Sequence, residues 1–174
     1  MRQTATRRFA LRARTADAHA RLDATVGPLS GAAAYARYLR GLLAFRAPAE
    51  RALAGTAWSP APIAALIAAD MADLGVAARP EVAVATPEGA SGALGLAYVL
   101  EGSALGARLL YRQALALGFG PERGARHLAA QTADLAAWHA FMAALEAVEP
   151  FDLDAAAAAA DAGFAAAGRA FADD

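Results

Sequence analysis

The 174-residue chain contains no cysteine, no lysine and no asparagine. Without cysteine there is no disulfide framework, no thiolate nucleophile and no Cys-ligated zinc or iron–sulfur centre, and nothing calls for an oxidising compartment. Without lysine no GxxxxGK[ST] phosphate loop can form, and no GxSxG stands in the sequence, so P-loop and serine-hydrolase chemistry both lack their motifs. An excess of one charge is also missing. Sixteen arginines face seventeen acidic residues, a formal net charge of −1, which lacks the cationic surplus of nucleic-acid-binding proteins. Alternating β-branched and aromatic residues are scarce, with only Val82-Ala83-Val84 before Pro87 reading as a possible strand. The uncharged segment Gly89–Leu100 has 12 residues, well short of the roughly 20 that a membrane span needs. Arg2, Arg7, Arg8, Arg12 and Arg14 give the N-terminus a charged start, but no apolar stretch follows to complete an export signal. A cytoplasmic protein with neither a membrane nor a nucleic-acid partner is expected.

What is abundant is alanine, 56 residues, within a composition 58% apolar and 19% charged. The length suits one domain, residues 1–174. Alanine, leucine, arginine and glutamate favour helix, and glycine and proline cluster between the segments they dominate, so an all-α domain is predicted. Six helical segments follow: Thr6 to Thr25; from the Ser30 cap to Ala54, with Pro48 inside; Ala61 to Leu74, with Ser59 as cap and Pro60 at the first position; Pro87-Glu88 to Gly118-Phe119-Gly120; Pro121 to Val148; and Asp152 to Phe171, capped by Asp152 or Asp154. In the fifth, Leu128, Leu135, Trp138, Phe141, Met142 and Leu145 recur at spacings of three, four and seven, a core-facing stripe. The alanine run 155–160 reads as helix, and no internal repeat is present.

Three histidines remain for chemistry, His19, His127 and His139, and none makes the paired i, i+4 arrangement that holds zinc on one helix. On a helix turning about 100° per residue, Arg12 and His19 nearly eclipse, about 10 Å apart along one face. Asp23, one turn after His19, can take the proton of the ring nitrogen not used for ligation, which fixes the tautomer and raises ligand basicity. The competing reading is a surface helix with a solvated histidine. In the fourth segment, Gly102 and Gly106 lie one turn apart. Each glycine in a helix costs about 1 kcal/mol relative to alanine. In so alanine-rich a chain, either a ligand or a second helix must approach the bare backbone there.

Two motifs carry a resemblance to a known family. Leu11-Arg12-x-x-Thr15-x-x-x-His19-x-x-Leu22-Asp23 resembles the proximal helix of heme oxygenases, and Tyr98-Val99-Leu100-Glu101-Gly102-Ser103-x-Leu105-Gly106 resembles their distal helix, in particular that of the bacterial branch associated with bacteriophytochromes. Their order, their separation and the chain length extend the resemblance over nearly the whole sequence. It implies a single-domain, all-α bundle of about six to eight helices that clamps heme between the two motifs. It further implies His19 as the axial iron ligand, Asp23 as its acidic partner and Arg12 as a propionate contact. Gly102 and Gly106 would lie over the heme face with Ser103 beside the oxygen site. His139 and Phe164 fall near positions that meet propionates and wall the pocket. The implied reaction opens heme, both cofactor and substrate, with O2 and external electrons to biliverdin, carbon monoxide and ferrous iron. The donor would be a ferredoxin or reductase, since the chain has no flavin, nicotinamide or iron–sulfur motif, and a bacteriophytochrome could receive the biliverdin. Three departures stand out. Ser103 occupies the place of an aspartate in animal-type members, Ala107 replaces the second glycine of Leu-Gly-Gly, and Arg108 stands where glutamine is common. They leave open a carrier or sensor of heme or another tetrapyrrole on the same fold, and beyond that an all-α interaction domain.

Overall fold

In a computed structural model, residues 6–133 and 135–172 are described; Arg2 of the basic N-terminus lies outside them. The described residues form seven helices and no strand: α1 (Arg7–Val26), α2 (Ala32–Leu53), α3 (Ala64–Asp73), α4 (Gly89–Ala116), α5 (Arg126–Thr132), α6 (Ala136–Ala147) and α7 (Leu153–Phe171). Val82 and Val84 sit in a connecting segment, where the Val82 N–H donates to the Ala44 carbonyl at 3.0 Å and both side chains pack on the core.

Helix starts differ from expectation where a second proline or a distant carboxylate intervenes. The third segment begins at Ala64, not Ala61, so neither Ser59 nor Pro60 opens it. Pro62 disfavours helical backbone at Ala61, and the N–H groups of Ile63 and Ala64 are instead satisfied by the Glu50 carboxylate of α2, at 2.9 and 3.2 Å. The second helix is preceded by Gly31 rather than capped by Ser30, and Pro48 lies within it without ending it.

The stretch Pro121–Val148 is two helices. Carboxylates of α3 fix the first: Asp73 accepts the Gly124 N–H at 3.0 Å, and Asp70 accepts the N–H groups of Arg126 and His127 at 3.0 and 3.1 Å. The apolar stripe is divided accordingly. Leu128 belongs to a cluster with Tyr35, Tyr38, Leu39 and Ile67, whereas Trp138, Phe141 and Leu145 belong to another with Leu11, Phe45, Leu100 and Phe164. A continuous helix would point both sets at one cluster, so the chain turns between them.

Helix α7 lies at the centre, packed on α1, α2 and α4. Asp152 caps it, accepting the Ala155 N–H at 3.0 Å. The alanine run 155–160 lets α4 approach closely: a Cβ at Gly95 would collide with the backbone of Ala156. Helix α4 is, by length and composition alone, long and apolar enough to cross a membrane, unlike the 12-residue uncharged segment at its start, but half of that apolar window is buried inside the bundle.

Candidate functional site

His19 stands on the exposed side of α1. Its Nδ1 lies 3.1 Å from the Asp23 carboxylate one turn on, with 60% and 68% of the two side chains exposed. Phe164 of α7, itself buried, meets the imidazole edge-on with ring centroids 5.7 Å apart. The Nε2 atom has no hydrogen-bond partner among the described residues. Arg12, on the same face, is exposed and has no ion-pair partner among the described residues.

On α4, Gly102 and Gly106 have nothing within 4 Å of where a Cβ would stand. Gly41, Gly95 and Gly163 are the opposite case, pressed against Phe171, Ala156 and the side chains of Leu96 and Val99. Thus Gly102 and Gly106 are not packing another helix, and the alternative left open by the sequence resolves to an open backbone face. Ala107 is 1% exposed and packs in the second cluster, about 100° around the helix from Gly106, so its methyl does not cover that face. Leu105 and Leu109, on the glycine side, are 46% and 53% exposed. Arg108 is exposed.

Tyr98 joins the two motifs. It lies one turn before Gly102, and its phenol lies beside Thr15, one turn before His19. Burial pushes the phenol up from its ordinary pKa, against the opposing charges of Arg12 and Arg8. Each motif is thereby set one helical turn from a common contact. Arg8 in turn lies 5.4 Å from the centroid of the Trp138 ring of α6.

The Ser103 hydroxyl donates to the Leu100 carbonyl at 2.6 Å and accepts from Gln131 Nε2 at 3.1 Å. Leu100 also accepts from Arg46 Nη1 at 3.2 Å, and buried Arg46 pairs with Glu50 at 2.8 Å. Next to Gly102, buried Glu101 accepts the indole N–H of Trp58 at 2.9 Å. Arg46, Trp58 and Gln131 are not singled out by sequence reasoning, and Tyr98 enters it only as the first residue of the distal motif. The i, i+4 spacing of Arg46 and Glu50 is the one local signal that marks any of them.

His139 is exposed on α6, and no side-chain contact among the described residues brings it to His19 or Arg12. His127 is elsewhere, wholly buried, with Nδ1 2.7 Å from Asp70. Burial pushes the Asp70 carboxyl up, but hydrogen bonds from the His127 ring and the backbone of Arg126 and His127 outweigh it and hold the group below the usual carboxylate range. No group of three or more potential metal ligands occurs among the described residues. A groove of about 570 Å³ between α1 and α7, lined by Arg14, Asp17, Arg21 and Asp161, lies on the other flank of α1. Of the predicted site residues it includes Phe164 alone.

No protein-family model and no curated protein matches the chain. Among solved structures it is similar to the NO- and CO-bound heme oxygenase of Neisseria meningitidis, with a TM-score of 0.79 and 25% sequence identity over 98% of this chain and 96% of that one. The chain therefore has the all-α heme oxygenase fold, as the two motifs implied. The association with the bacteriophytochrome branch rests on the motifs alone.

The residues present fit a heme. The bare faces of Gly102 and Gly106 would admit a flat macrocycle, His19 offers a free Nε2 while Asp23 occupies its Nδ1, and Arg12 offers an unpaired cation of the kind a propionate requires.

Proposed function

We propose that the chain is a heme oxygenase acting as one domain, which takes heme as both cofactor and substrate and opens it with O2 and external electrons to biliverdin, carbon monoxide and ferrous iron. The observation that carries this reading is the open face of Gly102 and Gly106, one turn from Tyr98, which lies beside Thr15 on the helix of His19 and Asp23. The fold shared with the Neisseria enzyme supports it.

In this reading His19 Nε2 would hold the heme iron, and Asp23, as acceptor from Nδ1–H, would fix the tautomer. Arg12 pairs with one propionate, His139 with another, and Phe164 walls the proximal side by packing on His19. Heme, when bound, supplies the iron that activates O2 and the ring carbon that is oxidised. The glycines let the ring approach the α4 backbone, and exposed Leu105 and Leu109 gain cover from it and exclude water. Because the Ser103 hydrogen is committed to Leu100, Ser103 faces the site as an acceptor and acts through a water molecule. Electrons come from a separate ferredoxin or reductase, and a bacteriophytochrome is one receiver of the biliverdin.

The same committed hydrogen, with no carboxylate at this position, favours a second reading, a heme carrier or sensor on the same fold. One experiment separates them: titrate the protein with hemin, then add reductant under air with catalase present to remove peroxide-driven bleaching. Loss of the Soret band with growth of biliverdin absorbance and release of CO is the expected result. A ligated spectrum that persists makes the protein a carrier, and no Soret shift at all defeats both readings.

A further inference from the structure

Ser103 has one hydrogen and two lone pairs to place. The hydrogen goes to the Leu100 carbonyl, and one lone pair takes an N–H of the Gln131 amide. Gln131 stands on α5, whose position is fixed from its buried end. One turn before Gln131, His127 is 0% exposed and meets Asp70 through both its ring and its backbone N–H. On the far side, Leu100 is held by Arg46, and Arg46 by Glu50. The serine is thus the middle of a chain of donors from α5 through α4 to α2, and its polarity is set: Gln131 donates to Ser103, and Ser103 donates to Leu100.

We propose that Gln131 is a positioning residue for the distal side of the heme site. By donating to Ser103 it keeps the serine hydrogen on Leu100 and leaves one lone pair, and no hydrogen, for the exposed side of α4. The inference rests on the heme reading above. A water molecule that donates one hydrogen to that lone pair keeps its second for a polar ligand over the glycines, so the site gains a donor without a carboxylate. Substitution by a group that can only accept reverses the polarity. In Gln131→Glu the carboxylate draws the serine hydrogen off Leu100, while Gln131→Leu removes the partner and keeps the bulk.

The test loads the full-length protein with hemin, reduces it, adds CO and reads the C–O stretch in the wild type, Gln131→Leu, Gln131→Glu and Ser103→Ala. Amide hydrogen exchange over residues 101–106 is measured in parallel on protein without heme. Gln131→Leu is expected to move the stretch toward the Ser103→Ala value and Gln131→Glu to shift it as well, with the Soret position unchanged because His19 is untouched. Exchange rises about fivefold in both Gln131 variants, the equivalent of one neutral hydrogen bond. A stretch and an exchange rate equal to wild type in both variants, whether or not Ser103→Ala shifts, overturn the inference while leaving heme binding intact. A wild-type protein that takes up no heme overturns the functional reading and this inference with it.

Discussion

The imidazole of His19 is held on two sides, by the Asp23 carboxylate 3.1 Å from Nδ1 and by the edge of the Phe164 ring, whose plane stands at 79° to it. Neither contact buries it, since 60% of the His19 side chain faces solvent. The ring is therefore oriented without contributing much to the core, and its Nε2 is left without a partner among the described residues. Phe164 matters more to the fold than its partner does, because α7 carries it into the main cluster beneath α1.

His19→Ala should leave stability within about 0.5 kcal/mol of wild type, as for an exposed surface position, and abolish the ligated-heme spectrum. Added imidazole should restore that spectrum by filling the vacated position. Thermal melts and a hemin titration check the two halves separately. A variant that keeps the wild-type spectrum would remove His19 from the iron.

The glycines of α4 predict opposite responses to the same methyl group. Gly95→Ala drives a Cβ into the Ala156 backbone and should destabilise the protein by several kcal/mol, since α4 and α7 must separate. Gly102→Ala meets nothing within 4 Å and should stabilise heme-free protein by up to about 1 kcal/mol through helix propensity. Yet Gly102→Ala should weaken heme binding, because the methyl stands where the macrocycle would lie. Denaturant melts with and without hemin read both effects.

Much of this was legible in the sequence, and the parts that were not share a cause. Helix propensity and glycine–proline punctuation located α1, α4 and α7 closely, and Asp152 is the predicted cap. The start of α3 and the division of α5 from α6 depend on the carboxylates of Glu50, Asp70 and Asp73, which reach across 13 to 57 residues of sequence, so local pattern could not place them. The site divides the same way. His19, Asp23, Gly102 and Gly106 are marked by spacing of one or two turns, whereas Tyr98, Arg46 and Gln131 enter through contacts between helices. Ala107 is the instructive departure: it stands in place of the motif's second glycine, but its position around α4 turns its methyl into the core.

Acid should loosen α5 from α3 first. Asp70 is wholly buried and its carboxyl is held below the usual range, chiefly by His127 and the backbone N–H groups of α5, against burial. A group depressed on folding stabilises above its unfolded pKa, near 3.9, and that stability is lost as pH falls through the lower folded value. Asp73, lowered by Arg126, adds to the same window. Asp70→Asn should cost about 3–5 kcal/mol at pH 7, the range for breaking a buried pair, and flatten the decline in Tm below pH 4. A mutant whose Tm falls as steeply with acid as the wild type would show that Asp70 does not set this dependence.

Asp23→Asn tests whether the carboxylate beside His19 is more than a solvated surface charge. Both side chains are largely exposed, so folding should be unaffected within about 0.5 kcal/mol. The amide keeps the shape and can still accept a hydrogen bond from Nδ1, but it cannot lend negative charge to the ring. The histidine becomes a weaker donor to iron, and loss of such a partner costs about 10–100-fold in metal affinity or activity. Hemin affinity should therefore fall by roughly tenfold, and the ferric–ferrous potential should rise, since a less basic ligand stabilises the ferric state less. Raising salt screens exposed charge pairs, so the wild type should approach the Asp23→Asn affinity in concentrated salt. Equal affinities and potentials for the two proteins at low salt would leave Asp23 with no part in the ligand.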